Sequence, residues 1–134
     1  MDKYDKIINW IYDGSKICTY GWGYLGKKLY VEIPQMFGVK ADYICDGDDK
    51  KVDEISIDGI TPIHKDKLLN MKERTVVFIL VDDPYDLQIE QSLKVNEYLL
   101  TVSLRELAQM NQIIKAFYGD EIYDLYLNLK DGRE

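Results

Sequence analysis

The feature that most constrains the fold is the run Thr75-Val76-Val77-Phe78-Ile79-Leu80-Val81, the most continuous apolar segment of the chain. Its β-branched content predicts a strand that is buried on both faces. Strands of that kind belong to parallel sheets that are covered by helices on both sides. Asp82-Asp83-Pro84 ends the run, so we expect these residues at the carboxyl ends of the strands, the edge where α/β folds bind ligands.

Strand and helix patterns alternate along the rest of the chain. Shorter strands are predicted at residues 16–20, 41–45, 60–63 and 98–102, and residues 55–59 read as a loop or minor hairpin. Each connection between strands is long enough to cross over the sheet. The pattern therefore predicts an α/β fold with a parallel sheet of about five strands.

The predicted helices are recognised by apolar residues at helical spacing. Their stripes are Tyr4, Ile7, Ile8 and Ile11; Leu25, Leu29, Tyr30 and Ile33; Leu68, Leu69 and Met71; Leu87, Ile89, Leu93 and Val95; and Leu107, Met110, Ile113, Ile114 and Phe117. Trp10 falls off the first stripe and covers either a neighbouring surface or a partner. Pro34 should kink or end the second helix. Ser103 and Glu106 have the spacing of a capping box.

The size and charge of the chain limit its partners. Its 134 residues suit one domain, residues 1–134, with a core at 16–105 and helical extensions at 1–15 and 106–134. There is no run of 18 apolar residues and no signal-peptide core, so we expect no membrane insertion and a cytoplasmic location. The formal charge of −7 argues against nucleic acid and anionic membranes as partners. Cys18 and Cys45 lie in predicted strands and read as buried residues.

The candidate binding site is the G-x-G-x-x-G turn Tyr20-Gly21-Trp22-Gly23-Tyr24-Leu25-Gly26, which follows the strand at 16–20. In such a turn Gly21 makes the tight bend, Gly23 lets a phosphate approach the backbone, and Gly26 lets the helix pack closely on the strand. Trp22 and Tyr24 stand at its variable positions. There they either stack on a base or sugar or pack near Tyr85.

Asp46 is the second candidate ligand-binding residue. It lies 20 residues beyond Gly26, at the end of the strand at 41–45. That spacing suits a carboxylate that hydrogen-bonds a ribose hydroxyl. The alternative is that residues 46–49, an acidic turn, are simply solvated.

The residues needed for catalysis are missing from the sequence patterns. There is no G-x-S-x-G elbow and no cysteine–histidine pair at a suggestive spacing. His64 is the only histidine, and it has no spaced ligand cluster, so we expect a loop or helix-start role rather than a catalytic or metal-binding one. Tyr24 and Lys28 have the Tyr-x-x-x-Lys spacing of a reductase, but they lie inside the turn. We therefore predict no catalytic residue and no metal site.

The chain resembles a known group of domains. The segments that carry the resemblance are residues 16–30, 44–48, 57–63 and 77–81. They look like the small Rossmann-type domains of bacterial surface-polysaccharide biosynthesis proteins. Similar domains occur with sugar O-acyltransferases, nucleotide-sugar dehydratases or epimerases, glycosyltransferases and some methyltransferases. The match covers roughly residues 16–105.

The resemblance implies a Rossmann-like three-layer sandwich with extra helices at both ends. It also implies a nucleotide ligand, either a nucleotide-sugar or NAD(P), held by Gly21, Gly23, Gly26 and Asp46. Two departures stand out. Trp22 is bulkier than the small residue usual there, and Asp82-Asp83-Pro84 replaces small polar residues. An aspartate pair beside a diphosphate would repel it.

Three interpretations follow. The first is a nucleotide-binding module without its own catalytic residues, linked to glycan biosynthesis. The second is a small NAD(P)- or S-adenosylmethionine-dependent enzyme that uses Asp46 for the ribose. The third is a ligand-free Rossmann-like interaction protein. The apolar residues of the two ends either pack on each other or form an interface with a second copy or a partner domain.

Overall fold

The computed structural model describes residues 2–110 of the chain. Its strands are β1 (Lys16–Tyr20), β2 (Tyr43–Asp46), β3 (Thr61–His64), β4 (Thr75–Ile79) and β5 (Leu99–Ser103). They form one sheet in the order β3-β2-β1-β4-β5, and every pairing is parallel. This confirms the predicted α/β, Rossmann-like fold with a parallel sheet of five strands.

The helices lie between the strands and cover both faces of the sheet. They are α1 (Lys3–Tyr12), α2 (Tyr24–Leu29), α3 (Glu32–Gln35), α4 (Asp49–Asp53), α5 (Lys65–Leu69) and α6 (Tyr85–Leu93). Residues 104–110 are also helical. Within the described range, none of the helices has the length and apolarity to cross a bilayer.

The core has two halves, one on each face, and β4 contributes to both. Val76 and Phe78 pack with α1, α2 and α3 on one face, while Val77 and Ile79 pack with α5 and α6 on the other. All four side chains are fully buried. The prediction of a strand buried on both faces is therefore confirmed. Trp10, which falls off the predicted stripe of α1, also belongs to the first half of the core.

The prediction of one continuous helix from Tyr24 through Ile33 is wrong. It is interrupted at Tyr30 and Val31, and α3 begins at Glu32. Pro34 therefore lies in the first turn of α3, where a residue needs no N–H partner within the helix. The chain breaks ahead of the proline, and α3 ends one residue after it, at Gln35.

The predicted apolar stripe after β4 is also wrong in part. Leu87 and Val95 are exposed, and α6 ends at Leu93. The buried polar residue of α6 is Asp86, whose carboxylate oxygens accept hydrogen bonds from Nε and Nη2 of Arg105 at 2.8 and 3.0 Å. The Arg105 guanidinium lowers the pKa of the Asp86 carboxyl group. This pair holds α6 against the helical segment that follows β5.

The capping box after β5 forms as predicted. Ser103 Oγ accepts from the Glu106 N–H at 3.2 Å, and Glu106 Oε1 accepts from the Ser103 N–H at 3.1 Å. Leu107 and Met110 then enter the core. The predictions for Ile113, Ile114 and Phe117, and for an interface formed by the C-terminal extension, lie outside the described residues.

A buried amide holds the second half of the core together. Asn96 Nδ2 donates to the carbonyl oxygens of Leu68, Leu69 and Met71, at 3.0–3.3 Å, and Asn96 Oδ1 accepts from the Tyr98 N–H at 2.9 Å. These carbonyls lie at the end of α5 and just beyond it, and that of Leu68 also accepts from the Met71 N–H at 3.2 Å. The side chain thus joins α5 to the turn that leads into β5.

We expect Asn96→Ala to lower the free energy of unfolding by about 2–3 kcal/mol, because it removes a donor to the Leu69 and Met71 carbonyls and the acceptor of the Tyr98 N–H. Urea unfolding followed by circular dichroism measures this. Asn70→Ala is the matched control: Asn70 is exposed and its amide makes one hydrogen bond, to the Asp66 carbonyl. The control should lose less than about 1 kcal/mol. Equal losses in the two variants would contradict the role given to Asn96.

Candidate functional site

The candidate site lies where the strand order of the sheet reverses. The chain runs outward from β1 to β2 and β3 on one side, and from β4 to β5 on the other. In open parallel sheets, ligands bind at such a point, outside the carboxyl ends of the strands. The register aligns those ends, because Tyr20, the last residue of β1, pairs with Cys45 of β2 and Ile79 of β4.

Gly21 joins the ends of these three strands. Its N–H donates to the Cys45 carbonyl at 2.8 Å. Its φ is +122°, and a Cβ atom there would lie 2.8 Å from the Leu80 carbonyl oxygen. Both the backbone conformation and the close approach require glycine.

Gly26 is also required by packing. A Cβ atom at this position would overlap the carbonyl oxygen of Gly21. This contact is the close approach of helix to strand that the motif predicts. The fold itself therefore requires glycine at two of the three motif positions.

The fold does not require glycine at the third position, Gly23. A Cβ atom there would meet no atom within 4 Å, and its φ of −91° is open to other residues. Gly23 is the N-cap of α2, and the space that a side chain would occupy there is open.

Asp46 lies against the turn, as its spacing predicts. Its Oδ2 accepts a hydrogen bond from the Trp22 N–H at 2.7 Å, and its Oδ1 accepts from the Asp48 N–H at 2.8 Å. Asp46 is the last residue of β2, one residue beyond the predicted strand. The carboxylate braces the turn, a contact that spacing alone does not reveal.

The residues after Asp46 are not a plain solvated turn. Asp48 caps α4 through Oδ1, which accepts from the Lys50 N–H at 3.0 Å. The sequence reading missed this short helix. The signal was present, since Asp48 is a preferred N-cap residue with Asp49 in the following turn.

The two aromatic residues of the turn make different contacts. The Trp22 ring meets the Tyr30 ring edge-on, with centroids 5.3 Å apart, so its described aromatic neighbour is Tyr30 and not the region of Tyr85. Tyr24 is 52% exposed. Lys27 and Lys28 place Nζ 5.9 and 5.3 Å from the ring centroids of Trp22 and Tyr24. About half of Tyr24 is thus exposed, and the Lys28 ammonium group lies over its ring.

The loop after β4 forms the opposite rim. A Cβ atom on Gly21 would lie 3.0 Å from the Val81 side chain, so the turn abuts the residues that lead into Asp82 and Asp83. Both aspartates are exposed. Asp82 Oδ1 accepts from the Asp83 N–H at 2.9 Å.

The thiols near the site are not activated. Burial, followed by repulsion from nearby anionic groups, raises the pKa of Cys45 to about 12. Burial also raises the pKa of Cys18. Both therefore stay protonated at neutral pH and pack as small core residues, and neither is a nucleophile.

His64 forms a pair that the sequence reading missed. It ends β3, and its Nε2 lies 2.7 Å from Asp53 Oδ1 at the end of α4. The hydrogen bond with Asp53, together with nearby carboxylates, raises the pKa of His64. Among residues 2–110, no group of three or more His, Cys, Asp and Glu side chains is arranged to hold a metal ion.

We expect the imidazole of His64 to titrate above its ordinary pKa of about 6.5, and Asp53→Asn to lower that pKa. Because the folded-state pKa is raised, the contact stabilises the fold below the unfolded pKa. That stability is lost as the pH rises through the folded pKa. His64 is the only histidine, so its ring protons give one NMR titration curve. Asp58→Asn is the control, and an unchanged pKa in Asp53→Asn would contradict the assignment.

Comparisons of the chain with models of protein families, with curated proteins and with solved structures found no match.

Proposed function

We propose that the chain is a nucleotide-binding module without its own catalytic residues, and that its ligand binds across the turn at residues 21–26. The observation that carries this proposal is the open surrounding of Gly23. Packing within the fold requires glycine at positions 21 and 26, but not at position 23. A ligand that passes close to the backbone would explain why position 23 is also a glycine.

Asp46 is the proposed partner of the ribose. Each of its oxygens accepts one hydrogen bond, from Trp22 or Asp48. A carboxylate offers about four acceptor positions, so capacity remains for ribose hydroxyl groups. Since two backbone N–H groups already hold the carboxylate, it is oriented before a ligand arrives.

The candidate ligands of this site are a nucleotide-sugar, NAD(P) and S-adenosylmethionine. Each contains a ribose, and Tyr24, which is 52% exposed, is the proposed stacking partner of the base. The link to bacterial polysaccharide biosynthesis in the cytoplasm rests on the resemblance of residues 16–105. The two thiols near the site are buried and protonated, so neither supplies a nucleophile.

A second candidate function is a ligand-free interaction protein that keeps the fold. The bond between Trp22 and Asp46 favours it, because this contact explains Asp46 without a ligand. In that case the acidic loops at the carboxyl edge would contact a partner protein.

We expect Gly23→Val to weaken nucleotide binding by at least about tenfold and to leave the unfolding temperature almost unchanged. The new side chain meets no protein atom but occupies the space over the turn. Thermal-shift and calorimetric titrations with UDP-glucose, NAD⁺, NADP⁺ and S-adenosylmethionine measure both effects.

Two controls separate binding from folding. Gly26→Ala should destabilise the protein itself, because its Cβ overlaps Gly21. Gly14 lies before β1, at the opposite edge of the sheet, with open space where a side chain would stand. Its φ is +87°, a conformation that asparagine tolerates. Gly14→Asn should therefore leave binding unchanged. Unchanged affinity in Gly23→Val would refute the site. If none of the ligands stabilises the folded protein, the interaction protein is the better reading.

A further inference from the structure

We infer that the hydroxyl group of Tyr20 is a further binding group of this site, and that it hydrogen-bonds an uncharged polar group in the nucleoside part of the ligand. The inference rests on the proposed function, because it adds a residue to the same site and names the part of the ligand that this residue contacts. Two observations carry it. The hydroxyl group has no partner within the fold, and the space beside it at Gly47 is open.

Tyr20 is a buried residue whose polar end is left without a partner. It ends β1, is 3% exposed, and packs in the second half of the core with Cys18 and Cys45. Among residues 2–110, no side chain or backbone group forms a hydrogen bond with its hydroxyl group. The hydroxyl groups of buried tyrosines usually find a partner, so one that lacks a partner needs an explanation. A ligand that reaches the hydroxyl group would supply the partner.

The hydroxyl group lies at the carboxyl edge of the sheet, against Gly47. A Cβ atom on Gly47 would lie 3.0 Å from the hydroxyl oxygen, and it would meet no other atom within 4 Å beyond its chain neighbours. The φ of Gly47 is not positive, so backbone strain does not require glycine at this position. The missing side chain leaves the space beside the hydroxyl group open. The hydroxyl group thus faces an opening at the rim of the site.

The position of Gly47 indicates which part of the ligand reaches this opening. Gly47 directly follows Asp46, the proposed partner of the ribose. The phosphate groups, in contrast, are expected at Gly23, the N-cap of α2. A group that reaches the Tyr20 hydroxyl beside Gly47 therefore belongs to the ribose or the base, because these parts of the ligand lie next to Asp46.

The charge of the hydroxyl group fits an uncharged ligand group. Burial and, to a lesser extent, the nearby Cys45 and Asp46 raise the pKa of Tyr20 above its ordinary value of about 10, so the phenol is neutral at neutral pH. A neutral phenol both donates and accepts hydrogen bonds. Ribose hydroxyl groups and the edges of bases also offer donors and acceptors. The two sets of groups are therefore complementary.

Tyr20→Phe tests the inference, because it removes the hydroxyl oxygen and keeps the ring in the core. Calorimetric titration of the full chain with UDP-glucose, NAD⁺, NADP⁺ and S-adenosylmethionine measures the affinity. We expect the affinity for the nucleotide that binds to fall about three- to tenfold. NMR titration with uridine and adenosine should give a similar loss, since these nucleosides lack phosphate. The unfolding temperature of the ligand-free protein should not fall, because no hydrogen bond of the fold is lost.

Gly47→Ala tests the opening separately. Its methyl group would stand 3.0 Å from the hydroxyl oxygen and would obstruct the approach of the ligand, so we expect binding to weaken at least as much as in Tyr20→Phe. Tyr43→Phe is the matched control. Tyr43 packs against the same half of the core, but it begins β2, at the opposite edge of the sheet. This variant loses the same atom and should keep the unmodified affinity.

The outcomes distinguish this inference from the proposed function. If Tyr20→Phe binds the nucleotide with unchanged affinity while Gly23→Val abolishes binding, the inference is overturned and the nucleotide site stands. An equal loss in Tyr43→Phe, or a loss for the nucleotide that its nucleoside does not share, also overturns it. Should Tyr20→Phe fail to fold, unchanged affinity in Gly47→Ala overturns the inference. If none of the nucleotides binds to the folded protein, the proposed function itself fails.

Discussion

Burial of β4 on both faces is the constraint on which the rest of the structure depends. Four consecutive side chains, Val76 to Ile79, are removed from water, two on each side of the sheet. Such a strand is stable only if helices cover both faces, and helices on both faces require crossover connections between parallel strands. Parallel strands in turn bring all their carboxyl ends to one edge. The position of the candidate site therefore follows from where apolar surface must be buried.

At that edge the same few atoms hold the fold and form the site. Gly21 closes the junction of β1, β2 and β4, and Gly26 lets α2 lie against it. Asp46 fixes the turn through Trp22. Such a turn is preorganised, which lowers the entropy lost when a ligand binds. It also means that changes at Gly21 or Gly26 cannot separate binding from folding, whereas Gly23 can.

Much of the fold was predictable from local patterns. All five strands lie within two residues of their predicted ends, and the capping box of Ser103 and Glu106 forms. The errors arose where tertiary contacts override periodicity. Leu87 was assigned to the buried face of α6, but Asp86 is buried there because Arg105, 19 residues later, satisfies its charge. In the same way, Trp10 lies outside the predicted stripe of α1 and still enters the core.

The sequence by itself determined the succession of the five strands along the chain, the burial of β4, and the spacing that brings Asp46 to the glycine turn. These are properties of neighbouring residues, and they depend on backbone geometry that repeats along the chain. Only the tertiary structure decided that Trp22 donates to Asp46, that Gly23 alone of the motif glycines faces open space, and that the acidic loops after β2 and β4 flank one turn. Hydrogen bonds and charge repulsion depend on distances through space, and those distances exist only once the strands have paired.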